Sequence, residues 1–292
     1  PTIMVRNLAL FEQGRLADEA FQWAQVGRVF PILVSVSTYR IYSEMVLYRY
    51  GLLNFAAKSA TNKLVSVPES AGIARIFVRI ALAQKRYEIA RRYIELLEKT
   101  RVHKPWVRKY RDWLDDHDLK AGRFVAHPDT INQANVDVVQ KEMDLITSRA
   151  PTDNYFTDVK LPEFCVMELG QHGGFEQATY QMQELTLMGS MFTCSQTSFM
   201  KNIDKFVKVL GNRPMPRYIQ EGYLFYTFMT TKKVAPPVYN WDPAILARFQ
   251  RYLELTSRQQ ASQNNPQLIR QKAEFADTFW WYANDQPETY FY

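Results

Sequence analysis

The residues that could carry chemistry begin with a basic stretch from Lys99 to Arg111. It interleaves six cationic side chains with Trp106 and Tyr110, a combination that can contact phosphates and stack on bases. Aspartates follow directly within 112–118, and some of them should pair with the basic residues at helical spacing. The whole chain carries 36 Lys and Arg against 30 Asp and Glu, a net charge of +6. Because this charge forms no concentrated stripe, the sequence favours a solvated helix face and disfavours a nucleic-acid partner.

Metal-binding and nucleophilic side chains are few, since the 292 residues include 2 cysteines and 4 histidines. His117 lies in a run of aspartates that could meet a metal, but no spacing matches HExxH or a Cys/His zinc pattern, which favours an acidic helix end. Cys165 and His172 could share a helical face, but a nucleophilic pair also needs an orienting group and an electropositive pocket. Cys165 could instead pair with Cys194 if the chain is exported. We therefore predict no metal, no cofactor and no catalytic residue.

Glycine is scarce, with 11 residues, and its richest cluster lies at 170–174. This cluster lacks the Lys-Ser/Thr of a phosphate-binding loop and follows no strand, so it predicts a turn between helices. The sequence contains no G-x-S-x-G hydrolase elbow. These patterns argue against a glycine-rich phosphate-binding enzyme.

Aromatic residues make up 14% of the chain. Trp241, Trp280 and Trp281 could form an aromatic platform for a glycan or a peptide. The alternative, which we favour for the cluster at the end of the chain, is a cap on a helical stack. The last unit of such a stack has no neighbour to cover its apolar face.

Helices must position these side chains. Across 73–97 the apolar residues recur at intervals of three and four, as in an amphipathic helix, and strand alternation is not sustained anywhere. Asp242 before Pro243 predicts one helix start, and Thr197 or Ser198 is predicted to cap another. The predicted helices lie near 2–13, 16–27, 38–50, 53–61, 70–84, 87–99, 105–116, 134–149, 162–171, 175–188, 198–210, 216–231, 243–260 and 266–283.

Four segments share one shape: a helix, a small or polar turn, and a second helix with alanine in its first turns. The turn residues are Gly14, Gly51, Lys85 and Gly173, and the alanines are Ala20, Ala56, Ala90 and Ala178. Successive alanines lie 36, 34 and 88 residues apart. A small residue at this place lets the second helix approach the first closely. The spacing predicts a helical-repeat protein with a period near 34 residues.

Two of these segments, 74–97 and 162–185, resemble tetratricopeptide helix pairs in their turn residue, following aromatic and alanine. The resemblance implies a tetratricopeptide-like α-α superhelix of stacked antiparallel helix pairs, which binds partners in a groove lined by the first helix of each pair. The groove positions implied are Arg75, Arg79, Lys160, Glu163 and Met167. Arg75 and Arg79 stand four residues apart and could hold a carboxylate. The alternative is two solvated arginines.

A second resemblance covers more of the chain. The opening from Asn7 to Phe21, the stretch 216–221 and the closing 278–282 resemble the C-terminal region of an uncharacterised, Bacteroidetes-type family of membrane proteins. The resemblance implies a membrane region before residue 1, which agrees with a chain that starts with Pro, lacks a signal peptide and contains no spanning segment. It implies a location in the cell envelope and no particular chemistry.

The sequence therefore predicts an all-α protein with a single domain over 1–292. Regular repeats cover about 1–118, an insertion loop about 119–133 and a less regular helical half 134–292. The expected function is a non-catalytic scaffold that binds a protein or peptide. The rival is a glycan-active or hydrolytic enzyme on an α-helical scaffold. Two facing carboxylates in a pocket beside the platform tryptophans would favour the enzyme, and a charged, open groove would favour the scaffold.

Overall fold

A computed structural model describes residues 2–25, 44–67, 70–99, 101–150, 178–234, 241–261, 271 and 273–284. Backbone contacts group the chain into two compact units. We call residues 37–159 the central unit, and residues 1–36 together with 160–292 the flanking unit. The sequence predicts one domain, and each unit is described by itself below.

The described residues form helices and contain no strand, which confirms the all-α prediction. The central unit has α3 (described over 44–49), α4 (Leu53–Ser66), α5 (Ala71–Ala83), α6 (Tyr87–Glu98), α7 (Lys104–Lys120) and α8 (Gln133–Thr147). The flanking unit has α1 (Thr2–Glu12), α2 (Leu16–Glu19), α9 (Tyr180–Phe192), α10 (Gln196–Leu210), α11 (Arg217–Thr231), α12 (Pro243–Ala261) and α13 (Phe279–Asn284). Short 3-10 turns occur at Ala20–Gln22, Arg101–His103, Pro128–Thr130 and Ala273–Phe275.

Some predicted helix boundaries are confirmed and others are wrong. Asp242 caps α12 as predicted, because its side chain accepts a hydrogen bond from the backbone N–H of Ala244 at 2.8 Å. The predicted cap at Thr197 or Ser198 is wrong, since α10 already begins at Gln196. The predicted helix 266–283 is confirmed over 279–283 but is interrupted earlier in its described part. Thr278 separates the turn Ala273–Phe275 from α13, and its hydroxyl donates to the carbonyl of Phe275 at 2.6 Å.

One turn geometry connects several successive helices. At Gly14, Gly51, Lys85 and Cys194 the backbone has a positive φ, between 51° and 81°. In the turn at Lys85, the N–H of Lys85 donates to the carbonyl of Leu82 and that of Arg86 to the carbonyl of Ala81, at 2.9 and 2.7 Å. This is the Schellman arrangement that ends an α-helix. In each case the next helix begins two residues after the turn residue.

Three of these turns are followed by an alanine that lies in the core. Ala20, Ala56 and Ala90 each have 0% of their surface exposed. A larger side chain at any of them would meet packed neighbours, because protein interiors are close-packed. The repeated turn and the buried alanine together explain why α3 to α6 form adjacent helix pairs.

In the central unit, α8 departs from this pairing. It packs along α7 and also contacts α5 and the end of α3. Its buried face consists of Val136, Val139, Met143 and Ile146. At its end, the Arg149 guanidinium donates to the carbonyl of Arg49 at 2.7 Å. The helix therefore packs on α7 and contacts α5 and the end of α3 as well.

The flanking unit has an aromatic core centred on Phe21, which is 2% exposed. The ring of Phe21 lies 4.9 to 5.4 Å from those of Phe192, Tyr218, Phe279 and Tyr282. Tilted and edge-on ring pairs of this kind add to the gain from burial. Contacts made by Phe21 thus join the short α2 region to α9, α11 and α13.

Candidate binding groove

A groove open to solvent lies between α6 and α7 of the central unit. The segment 121–130, which follows α7, forms its third side with Phe124, Val125 and His127. We call this the α6–α7 groove, and its volume is about 850 Å³. Ligand pockets generally measure about 300 to 1,000 Å³, so the groove has room for a short peptide segment.

Ion pairs tie the walls of the groove together. At one end, Arg111 of α7 contacts Glu98 of α6 at 2.7 Å. At the other end, Arg91 of α6 pairs with Asp118 of α7, and Arg123 of the 121–130 segment also contacts Asp118, at 3.2 Å. These contacts hold α6, α7 and the following segment in one arrangement.

The remaining carboxylates of the groove also have polar neighbours. Asp112 accepts a hydrogen bond from the side-chain amide of Asn135 at 2.6 Å. Asp115 lies 4.0 Å from Arg91, and burial raises the pKa of its carboxyl against the attraction of Arg111 and Arg91. The negative charges of the groove are therefore engaged within the central unit.

Two cations of the groove, unlike most of its acidic residues, are not engaged by a charged partner among the described residues. Lys104 and Arg108 are exposed, line the groove and stand four residues apart on α7. Neither forms an ion pair with another residue in the part of the chain that the structure describes. Val107 lies between them in sequence and is 2% exposed, so it belongs to the groove wall. The N-terminal half of α7 therefore presents uncompensated positive charge to the groove.

The two arginines predicted to hold a carboxylate lie on α5, outside this groove. Arg79 does hold one: its Nε lies 2.9 Å from Oε1 of Glu142 and donates to the hydroxyl of Tyr110 at 2.9 Å. The hydroxyls of Tyr110 and Tyr48 also donate to Glu142, at 2.7 and 3.1 Å. We call these four residues the Glu142 network. Its carboxylate comes from α8 of the same chain, so Arg79 is not available to a peptide carboxylate.

The Glu142 network is mostly buried. The side chains of Arg79 and Glu142 are each 19% exposed, and Tyr48 and Tyr110 are 0% and 3% exposed. Burial raises the pKa of both phenols, which keeps them protonated as donors to Glu142. Sequence reasoning missed this network because Tyr48 and Glu142 are 94 residues apart and share no local motif.

Arg75 has a different environment. Its Nη2 lies 2.7 Å from Nδ1 of His103, and its guanidinium lies 5.2 Å from the centre of the Trp106 ring. Arg79 lies over the same ring at 5.6 Å. Trp106, one of the two aromatic residues of the basic stretch, therefore packs against two arginines of its own chain.

The other predicted groove positions, Lys160, Glu163 and Met167, lie outside the described residues. So do Cys165, His172 and the glycine cluster 170–174. Their predicted roles stay predictions.

The predicted aromatic platform requires a correction. Trp280 is fully buried, with its ring 5.0 Å from Phe249 and 6.0 Å from Tyr252. Its ring therefore cannot offer a surface to a glycan or a peptide. Trp241 and Trp281 are half-buried, and Trp241 packs against Tyr223 at 5.1 Å. Packing inside the flanking unit accounts for Trp280, because burying so large a ring contributes strongly to core stability.

A second charged cluster lies in the flanking unit. Arg217 contacts Glu221 at 2.8 Å and Asp277 at 2.9 Å, and Arg248 contacts Asp277 at 2.5 Å. Glu221 is 1% exposed and also accepts the backbone N–H of Phe279 at 2.7 Å. Burial raises the pKa of Glu221, and the charge of Arg217 opposes that rise. These contacts join α11 and α12 to residues 277–279, at the start of α13.

The acidic stretch around His117 behaves as a helix end. Asp116 pairs with Lys120 at 2.7 Å, and the ring of His117 packs against Tyr87 at 4.3 Å. Within the described ranges, no group of three or more His, Cys, Asp or Glu side chains is placed to hold a metal ion. Over the same ranges, no helix has the length and apolar character needed to cross a membrane.

Fold and site together define an all-α protein of paired helices with a charged groove. The chain belongs to a family of unknown function, DUF6057, whose family model matches residues 2–284. No curated protein and no solved structure matches the chain. The expectation of an uncharacterised family is thus confirmed, and the family description assigns no activity.

Proposed function

We propose that this chain is a non-catalytic helical-repeat scaffold that binds a segment of a protein partner in the α6–α7 groove. The observation that carries the proposal is the open groove of about 850 Å³, lined by charges of both signs. Hydrolysis of a glycosidic bond needs one carboxyl that donates a proton and another that accepts one or attacks. The groove carboxylates instead lie within 4.0 Å of a cation or accept from an amide, which supports binding over catalysis.

The repeated turns support a tetratricopeptide-like organisation within this proposal. The positive-φ turns at Gly14, Gly51 and Lys85 and the buried alanines that follow them recur at the spacing of that repeat class. In such repeats the inner face of the first helices binds the partner. Here α8 contacts α3, α5 and α7, and its Glu142 pairs with Arg79 of α5, so we assign the partner to the α6–α7 groove.

The wider setting of the proposal follows from resemblance. The stretches at Asn7–Phe21 and 278–282 resemble the C-terminal region of a Bacteroidetes-type membrane protein family. We therefore propose that the scaffold works in the cell envelope as one region of a membrane-anchored protein. Locating the native protein by fractionation of envelope and cytosol would test this setting.

The groove is tested by comparing partners recovered on the purified chain and on a variant with Lys104→Glu and Arg108→Glu. The expected result is loss of a partner that the unmodified chain recovers. A matched control changes two exposed lysines of α10, Lys201→Glu and Lys208→Glu, which gives the same change in net charge outside the groove. Equal recovery by all three proteins would remove the groove from the proposal. Arg79 is unsuitable for this test because its substitution would break the Glu142 network.

A further inference from the structure

The charges that the α6–α7 groove leaves uncompensated indicate what it binds. Its acidic side chains are engaged by Arg91, Arg111, Arg123 and Asn135. Among its described cations, Lys104 and Arg108 form no ion pair, and the carboxylate of Asp112, at the middle of α7, accepts from the neutral amide of Asn135. A ligand that complements this groove therefore carries negative charge where it meets the first half of α7.

The spacing of the two cations restricts the ligand further. Four residues of an α-helix advance about 6 Å, so Lys104 and Arg108 project from one face of α7 at about that separation. In an extended peptide, residues i and i+2 point to the same side and lie about 6.6 Å apart. Two acidic side chains that flank one residue of an extended segment match this separation.

An apolar surface lies in the same groove. Phe124 is 91% exposed although it lines the groove, and Val125 and Val107 line it as well. When an apolar side chain of a ligand covers an exposed aromatic ring, apolar surface is removed from water, and this favours binding. The ligand therefore combines acidic side chains with an apolar one.

We infer that the α6–α7 groove binds an extended acidic segment in which two carboxylates, two residues apart, meet Lys104 and Arg108 and a neighbouring apolar side chain covers Phe124. The inference rests on the proposed binding function and deepens it by naming the class of ligand. Its carboxylates come from side chains, so the segment can lie inside a partner chain.

The test uses the full chain and three fluorescent peptides with blocked ends. In the first, two aspartates flank an alanine and a phenylalanine follows. The second has asparagines in place of the aspartates, and the third has lysines. Titration followed by fluorescence anisotropy should show binding of the aspartate peptide, weakening as salt rises. Lys104→Glu with Arg108→Glu should weaken it roughly tenfold, because two exposed ion pairs are replaced by repulsion.

A charge exchange guards against a variant that has merely lost its fold. The Lys104→Glu and Arg108→Glu variant should bind the lysine peptide better than the unmodified chain does, which a misfolded protein would not. Phe124→Ser should weaken binding of the aspartate peptide at low and at high salt alike, because it removes an apolar contact and leaves the charges unchanged. The neighbouring Lys109→Glu, which lies on α7 outside the groove lining, serves as the control.

Several outcomes overturn the inference. Equal binding of the asparagine and aspartate peptides would show that charge does not select the ligand, while the binding function itself would stand. If none of the three peptides binds, this ligand class is rejected. The proposed binding function is then tested separately, by whether the unmodified chain recovers a partner that the Lys104→Glu and Arg108→Glu variant does not. Tighter binding of single-stranded RNA through Lys104 and Arg108 would replace the acidic peptide by a nucleic acid.

Discussion

Glu142 is the shared partner of three other side chains of the central unit. It accepts hydrogen bonds from Tyr48 and Tyr110 and pairs with Arg79 in a largely buried place. Removing one partner of a buried pair leaves the other charge and its donors unsatisfied, which costs more than the pair itself contributes.

We therefore expect Glu142→Ala to lower the free energy of unfolding of the chain by about 2–3 kcal/mol, measured by urea denaturation. Asp137→Ala, an exposed acid on the same helix, should change it by less than about 0.5 kcal/mol. Equal effects from the two substitutions would show that the Glu142 network does not stabilise the central unit.

Glu184 of α9 is a buried acid that has no cation at hydrogen-bond distance among the described residues. Its side chain is 1% exposed, and Oε1 accepts the backbone N–H of Ala17 at 3.3 Å. Oε2 has no hydrogen-bond partner among the described residues. Burial raises the pKa of this carboxyl to about 7, above the usual value of 4.5.

A carboxyl whose pKa is higher in the folded state stabilises the fold in its protonated form. Its contribution is complete below about pH 4.5 and is lost as the pH rises through about 7. Glu184→Gln imitates the protonated form at every pH. We expect the variant to be about 2–3 kcal/mol more stable than the unmodified chain at pH 8, with the difference vanishing near pH 4. A difference that stays constant between these pH values would contradict the raised pKa.

At the scale of helices, the turn before α4 combines two constraints at Gly51. Its φ of 81° favours glycine, and a Cβ there would lie 2.8 to 2.9 Å from atoms of Arg149. Gly14, in the turn before α2, has a φ of 68° but open space around the position of its Cβ. The first constraint is common to both turns, and the second belongs to the contact between the end of α8 and the α3–α4 turn.

Substitution by alanine should separate these constraints. We expect Gly14→Ala to cost about 1 kcal/mol from the positive φ alone, and Gly51→Ala to cost at least about 1 kcal/mol more, because Arg149 must move. Thermal or urea unfolding of the two variants provides the measurement. Equal losses would show that the end of α8 does not pack closely on this turn.

At the scale of the whole molecule, the Glu142 and Glu184 sites lie in different compact units. Every contact described for Glu142 belongs to the central unit, and those of Glu184 belong to the flanking unit. Substitutions at sites that share no partner usually change the free energy of unfolding independently. In a variant with both Glu142→Ala and Glu184→Gln, the two effects on unfolding at pH 8 should add within about 0.5 kcal/mol. A larger interaction energy would reveal coupling between the units.

Much of the secondary structure could be predicted from local sequence. Periodicity across 73–97 predicted α5 and α6 to within a residue or two of their observed bounds. The apolar face of each helix recurs every three or four residues, so a short stretch of sequence is enough to reveal it. Helix boundaries near residue 278 were harder to predict. Thr278 interrupts the predicted helix 266–283 by bonding the backbone, a competition that helical periodicity does not reveal.

The candidate site divides in the same way. The sequence alone determined that the chain is all-α, that helices turn sharply at Gly14, Gly51 and Lys85, and that cations gather between residues 99 and 111. These properties depend on neighbouring residues, which act through backbone preference and helical spacing.

Which cations remain for a partner depends on how distant helices pack. Arg79 meets Glu142 because α8 returns across α5, while Lys104 and Arg108 stay without an ion pair among the described residues. Trp280 likewise became a core residue because α12 packs over it. Such choices depend on contacts between residues far apart in the chain, where burial and charge pairing are settled by packing and leave no local pattern.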